Sequence, residues 1–206
     1  CRSSGCKETD NLSKIRRGIL LDELPNFAHG KLYKRYLWND LIFPAGRLVE
    51  DMYVSATVFF KAGSAYLTPV SLYRYSYENE NSLMRGKNIK DFIQLKYGRF
   101  LAWREHERIA DLHALSDKKV CIQALKCAVK TFVADFNTRE LPDLDYRELE
   151  SYIFMHRDVS LPFLFSFQRY LIVSECTILL QLCGYVRKMA VSLQYKMRQW
   201  KFMADR

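Results

Sequence analysis

Two adjacent carboxylates, Glu50 and Asp51, are the residues of this sequence whose type and position best suit catalysis. They follow the turn-forming segment Pro44-Ala45-Gly46 and begin a stretch in which apolar residues recur at helical spacing. A carboxylate in the first turn of a helix is held near the positive end of the helix dipole, which favours its ionised form. Such a group can accept the proton of an attacking hydroxyl, so the pair predicts general-base catalysis. The alternative is that both acids only stabilise the start of a helix.

The residues around this pair form an ordered pattern from position 31 to position 85. The run Lys31-Leu32-Tyr33-Lys34-Arg35 precedes Ile42-Phe43-Pro44-Ala45-Gly46, and Leu72-Tyr73-Arg74-Tyr75 and Asn81-Ser82 follow the carboxylates. This order resembles the acceptor-side half of bacterial family 2 glycosyltransferases, which have a KLYRR-like run, an FPxG segment, a YxY strand and an Asn-Ser loop. The resemblance implies inverting transfer of a sugar from a nucleotide-sugar to a saccharide or lipid-linked acceptor, in surface polysaccharide synthesis.

The resemblance also assigns roles to individual residues. It implies that Asp51 is the catalytic base and that Glu50 caps or orients it. It implies that the side chains binding the acceptor or the diphosphate come from Lys31, Arg35, Arg47, Arg74 and Ser82, although exposed Lys and Arg are common on any surface. The chain departs from the family at Ser76, where an Arg is frequent, and at His29, where an aromatic residue is frequent. We interpret His29 as a packing residue, and Tyr73 and Tyr75 as core residues.

The nucleotide-binding half of such an enzyme has no counterpart in this sequence. That half supplies alternating strands and helices and an Asp-x-Asp element that holds a divalent cation on the donor diphosphate. Asp143-Leu144-Asp145 matches the Asp-x-Asp pattern but lies between two predicted helices, so we predict no metal site there. Zinc is not predicted either, because none of the six cysteines forms a CxxC pair. We therefore expect a fragment that is inactive alone, with Mg or Mn needed only by a full-length parent.

The elements that position these residues divide into two predicted parts. Residues 1–86 are predicted as the acceptor-side part of an α/β, GT-A-like domain, with a helix over Glu50–Lys61 and strands over Ala65–Thr68 and Val70–Tyr77. Residues 87–206 are predicted as a helical C-terminal subdomain. An apolar stripe beginning at Ile89 predicts its first helix. The second predicted helix covers Cys121–Phe136 and is capped by Ser116 or Asp117. A third is capped by Asp145, with Glu148 in its first turn, and the last covers Tyr185–Phe202.

Charge and hydropathy suggest where the protein acts. The chain has 32 Lys and Arg against 23 Asp and Glu, a net charge of +9, which favours anionic partners. No motif supports nucleic-acid binding. Leu171–Val186 is too interrupted to span a bilayer and is predicted as a buried helix. The basic, amphipathic last helix supports an alternative function, a non-enzymatic module on an anionic membrane or a partner protein, unless it packs on its own domain. We expect a cytoplasmic protein, peripheral on the inner face of the cell membrane.

Overall fold

The chain is mostly helical. A computed structural model describes residues 11–71, 73–74, 88–115, 117–135, 141 and 144–204. Contacts within the chain divide it into two compact units, Cys1–Asn81 with Leu101–Cys121, and Ser82–Phe100 with Ile122–Arg206. The domain boundary predicted after residue 86 lies where the family resemblance ends, and it stays a prediction. The described elements are the α-helices α1 (Leu12–Leu20), α2 (Glu50–Lys61), α3 (Ile89–Leu112), α4 (Lys118–Asp135), α5 (Tyr146–Met155), α6 (Phe163–Val173) and α7 (Thr177–Ala204), and a 3₁₀ turn (Arg35–Trp38).

The predicted α/β fold class is wrong. Among the described residues there is no sheet, and Ala65–Thr68 contains only one bridge residue, Leu67. The described residues of the other predicted strand, 70, 71, 73 and 74, are not strand, and its remaining residues lie outside the described part. β-Branched and aromatic residues favour a strand, but a strand also needs a neighbour that bonds its N–H and C=O groups. The described residues supply no such neighbour.

In the first unit, α1 packs against α2. Asn11 caps α1 by accepting a hydrogen bond from the Lys14 N–H at 3.0 Å. The inward faces of the two helices bury Ile15, Ile19, Leu20, Met52, Val54, Ala56 and Val58. Helix α2 has the predicted bounds, which is expected because its apolar positions recur at helical spacing and acidic residues occupy its first turn.

In the second unit, α6 packs against both α5 and α7. The cap predicted for α5 is confirmed, because Asp145 Oδ1 accepts a hydrogen bond from the Glu148 N–H at 3.0 Å. The guanidinium of Arg169 fixes the turn between α5 and α6 by donating to the carbonyl oxygens of His156 at 2.9 Å and Val159 at 2.6 Å. The aromatic core of the unit includes Tyr152, whose ring meets that of Phe100 edge to face at 5.2 Å.

The prediction of one buried helix over Leu171–Val186 is wrong. Helix α6 ends at Val173, and α7 begins at Thr177, so a turn containing Glu175 at a φ of 52° interrupts the segment. Along α7 the large apolar side chains are mostly exposed, as for Val186 at 63%. Helix α7 also begins eight residues before the predicted Tyr185. None of the described helices is both long enough and apolar enough to cross a membrane.

Candidate functional site

The first turn of α2 fixes the position of Asp51. The preceding residue Val49 has a φ of 67°, a left-handed conformation that a β-branched residue rarely adopts. Asp51 is half-buried, and its Oδ1 accepts a hydrogen bond from the Met52 N–H at 2.8 Å. Its Oδ2 has no hydrogen-bond partner among the described residues. The local backbone therefore orients the carboxylate and leaves one oxygen available to accept a proton.

Lys31 and Tyr33 share the electrostatic surroundings of Asp51. Burial lowers the pKa of the Lys31 ammonium, and the negative charge of Asp51 opposes that effect. Burial raises the pKa of the Tyr33 phenol to about 12, and the charge of Asp51 adds to the rise. Lys31 also donates a hydrogen bond to the carbonyl oxygen of Phe27. The chain thus brings an ammonium and a phenol close to the carboxylate.

Three aromatic rings contact one another, two of them shortly before Lys31 in the sequence and the third at Tyr73. The rings of Phe27 and His29 are parallel within 7° at 4.9 Å, and those of His29 and Tyr73 lie 5.1 Å apart. Gly30, at a φ of 70°, lets the backbone pass close to the Tyr73 ring. Phe27 is 45% exposed and Tyr73 is 51% exposed, so the prediction of Tyr73 as a core residue is wrong. His29 packs as predicted, but between two exposed rings.

The remaining predicted residues are not joined to Asp51 by any hydrogen bond or ion pair within the described part of the chain. Glu50 is the first residue of α2 and is half-buried. Arg35, Arg47 and Arg74 are exposed. Ser82 lies outside the described residues, as do Tyr75 and Ser76. The binding roles of these residues therefore stay predictions.

Sequence reasoning gave no role to Phe27 or Tyr33. Tyr33 packs on a small core of Leu37, Val58 and Ala62, and its ring meets Trp38 edge to face at 5.1 Å. The chain turns at Gly30 between Phe27 and Tyr33, so no regular helix or strand spacing in the sequence indicated these contacts.

The described residues of the Asp-x-Asp segment at positions 143–145 are not arranged to bind a divalent cation. Leu144 is buried, and the Asp145 carboxylate is already used as the cap of α5. Asp143 lies outside the described residues. A ligand pair for a cation needs two carboxylates directed to one point, and capping directs Asp145 to its own helix.

No family model, curated protein or solved structure matches this chain. The resemblance to family 2 glycosyltransferases therefore depends on the sequence pattern alone.

Proposed function

We propose that the region from Lys31 to Arg85 is the acceptor-side part of an inverting glycosyltransferase, with Asp51 as its general base. The observation that carries the proposal is the Asp51 carboxylate, which is oriented by the first turn of α2, has one unpartnered oxygen among the described residues, and lies near the Lys31 ammonium. The ordered sequence pattern around it supports the same function. Helix α2 needs no sheet to hold the carboxylate in this way.

In the proposed reaction, the oxygen of an acceptor hydroxyl attacks the anomeric carbon of the donor sugar. Asp51 Oδ2 accepts the hydroxyl proton while the bond from the anomeric carbon to the diphosphate oxygen breaks, and the diphosphate leaves with the bonding electrons. The negative charge of Asp51 in turn favours the charged form of the Lys31 ammonium. Parent enzymes of this class use Mg or Mn to neutralise the leaving diphosphate, and no step here is assigned to such an ion.

The exposed rings of Phe27, His29 and Tyr73 supply a binding surface for the acceptor. A stacked aromatic surface is large and apolar, and it suits the C–H face of a sugar ring. The acceptor would lie on these rings with its reacting hydroxyl directed to Asp51. This explains why an apolar surface stays uncovered next to charged residues.

The catalytic part of the proposal is tested in a chimera that places this chain behind the nucleotide-binding half of a family 2 glycosyltransferase. We expect transfer from a panel of nucleotide-sugars, and a loss of about 100-fold or more in Asp51→Asn, since general-base catalysis contributes about 10²–10⁴-fold. Exposed Lys34→Gln is the matched control and should retain activity. A folded chimera that binds donor but transfers nothing, or a chimera that Asp51→Asn leaves equally active, contradicts the proposal.

A second function is supported by an exposed apolar face on α6 and α7. Helix α7 has five Lys or Arg residues and no Asp or Glu, so its charge complements an anionic membrane surface. We propose that this face holds the protein at the inner face of the cell membrane, which is compatible with a lipid-linked acceptor. The exposed apolar side chains of this face are Phe163, Leu164, Phe167, Tyr170, Ile178, Leu182, Val186, Met189, Leu193 and Met197.

Flotation with liposomes tests the membrane function. The chain should float with phosphatidylglycerol vesicles and less with phosphatidylcholine vesicles, and added salt should weaken the binding. Leu182→Gln combined with Met189→Gln should reduce flotation, whereas Leu32→Gln, at a fully exposed apolar residue of the other unit, should not. Absence of flotation, or equal flotation of all variants, would exclude the membrane function.

A further inference from the structure

Five cationic side chains of the second unit lie near enough to one another for their charges to act on Lys96 or Lys130. Lys96 and Arg99 are three residues apart on α3, and Lys126 and Lys130 are four residues apart on α4, so each pair occupies one helix face. Arg187 of α7 completes the group, which we call the basic cluster. The charges of Arg99, Lys130 and Arg187 all act on Lys96, and those of Arg187, Lys126 and Arg99 act on Lys130.

The basic cluster is partly buried, and the described residues offer it no acidic partner. Lys96, Lys130 and Arg187 are each half-buried, and none of the three forms an ion pair within the described part of the chain. Burial lowers the pKa of Lys96 and of Lys130, and the neighbouring cations lower both further, while the Cys127 thiol opposes these effects. Desolvation and mutual repulsion both disfavour the charged form of these lysines, and a bound anion would offset both effects.

Two of the three lysines of the cluster lie over aromatic rings. The Lys130 ammonium lies 5.1 Å from the centroid of the Phe165 ring of α6, and the Lys96 ammonium lies 5.5 Å from that of Phe92. Cation–π contacts of this kind orient an ammonium without neutralising it. The cluster is therefore positioned by its surroundings, while no acidic side chain in the described part of the chain neutralises its positive charge.

We propose that Lys96, Lys130 and Arg187 bind a phosphoryl group, as a free phosphate or diphosphate or as the headgroup of a phospholipid. The Arg187 guanidinium can bond two phosphoryl oxygens at once, and the two ammonium groups act as point charges. A multiply charged phosphate suits a site with several unpaired cations better than a single carboxylate does. The site belongs to a different unit from Asp51, so it does not depend on the proposed sugar transfer.

Thermal unfolding of the full chain with pyrophosphate, at constant ionic strength, tests the site. At a concentration of about 100 times Kd, pyrophosphate should raise the Tm by about 5 °C. Lys130→Gln and Arg187→Gln should each weaken binding by about 10-fold or more. Without ligand, both variants should unfold at a higher Tm than the native chain, because each removes a repelled charge. Lys188→Gln, at an exposed neighbour on α7, should change neither quantity.

The unliganded Tm separates loss of a binding group from loss of structure. A parallel arm replaces pyrophosphate with vesicles containing phosphatidic acid, and Leu182→Gln serves there as the control for apolar contact. A rise in Tm with pyrophosphate assigns the site to free phosphates. A rise with phosphatidic acid but not with pyrophosphate assigns it to a lipid headgroup, provided that Arg187→Gln abolishes the rise. No response to either probe, or equal responses in Arg187→Gln and Lys188→Gln, overturns the proposal.

Discussion

The imidazole Nε2 of His106 lies 3.0 Å from the carbonyl oxygen of Met52, the residue that follows Asp51 in α2. Its Nδ1 lies 2.9 Å from the carbonyl oxygen of Leu20, at the end of α1. The side chain is fully buried. His106 therefore ties the first turn of α2, which carries the candidate base, to the end of α1.

This relationship predicts how stability depends on pH. Burial lowers the pKa of His106 and outweighs the two carbonyl contacts, which raise it. In the unfolded chain His106 binds its proton near its ordinary pKa of about 6.5, so acid favours the unfolded state below that pH. We expect the free energy of unfolding to fall from pH 7 to pH 5, by at most about 1.4 kcal/mol per pH unit from this group. Urea denaturation at each pH should show a smaller slope in His106→Gln, and an unchanged slope contradicts the prediction.

Two adjacent arginines of α1 should differ sharply in their importance. Arg16 donates to the carbonyl oxygens of Phe59 at 3.1 Å, Phe60 at 3.0 Å and Ala62 at 2.8 Å, which satisfies the C-terminal end of α2. Arg16→Met should lower the free energy of unfolding by about 2–3 kcal/mol, because it leaves these groups unpaired. Arg17→Met removes only an exposed ion pair to Asp117 and should cost at most about 1 kcal/mol. Equal losses in urea denaturation would disprove the assigned role of Arg16.

Gly18 should not tolerate a side chain. A Cβ atom there would lie 2.7 Å from Cγ and 2.8 Å from Cδ1 of Leu24. Gly18→Ala should lower the Tm, because the overpacking cost of about 1–3 kcal/mol exceeds the gain of about 1 kcal/mol in helix propensity. In Leu24→Ala the same change should be neutral or stabilising. A double-mutant cycle measures this coupling, and additive effects would show that the close approach is not present.

The sequence predicted α2 and the cap of α5 well, the segment Leu171–Val186 wrongly and the environment of the site poorly. The bounds of α2 and the cap at Asp145 could be predicted because both follow from local spacing and from hydrogen bonds within one helix. The predicted strand at Ala65 failed because a strand depends on a neighbour that local sequence cannot supply. Likewise, an amphipathic pattern identifies the apolar face of α7 but not what covers it. The ring contact between Tyr73 and His29 joins residues far apart in the chain, which propensity cannot detect.

The proximity of Asp51 to Lys31 and Tyr33 can be tested without any substrate. In Asp51→Asn the pKa of Lys31 should fall further, because a nearby negative charge no longer favours the ammonium. The pKa of Tyr33 should also fall from about 12, because the same charge no longer opposes formation of the phenolate. NMR titration of ¹³C-methylated lysines and ¹³C-labelled tyrosines would follow both groups. Glu50 contributes to neither shift, so Glu50→Gln should leave both pKa values unchanged. If Asp51→Asn moves neither group, or Glu50→Gln moves them equally, Asp51 does not face Lys31 and Tyr33, and the proposed base loses its nearby ammonium.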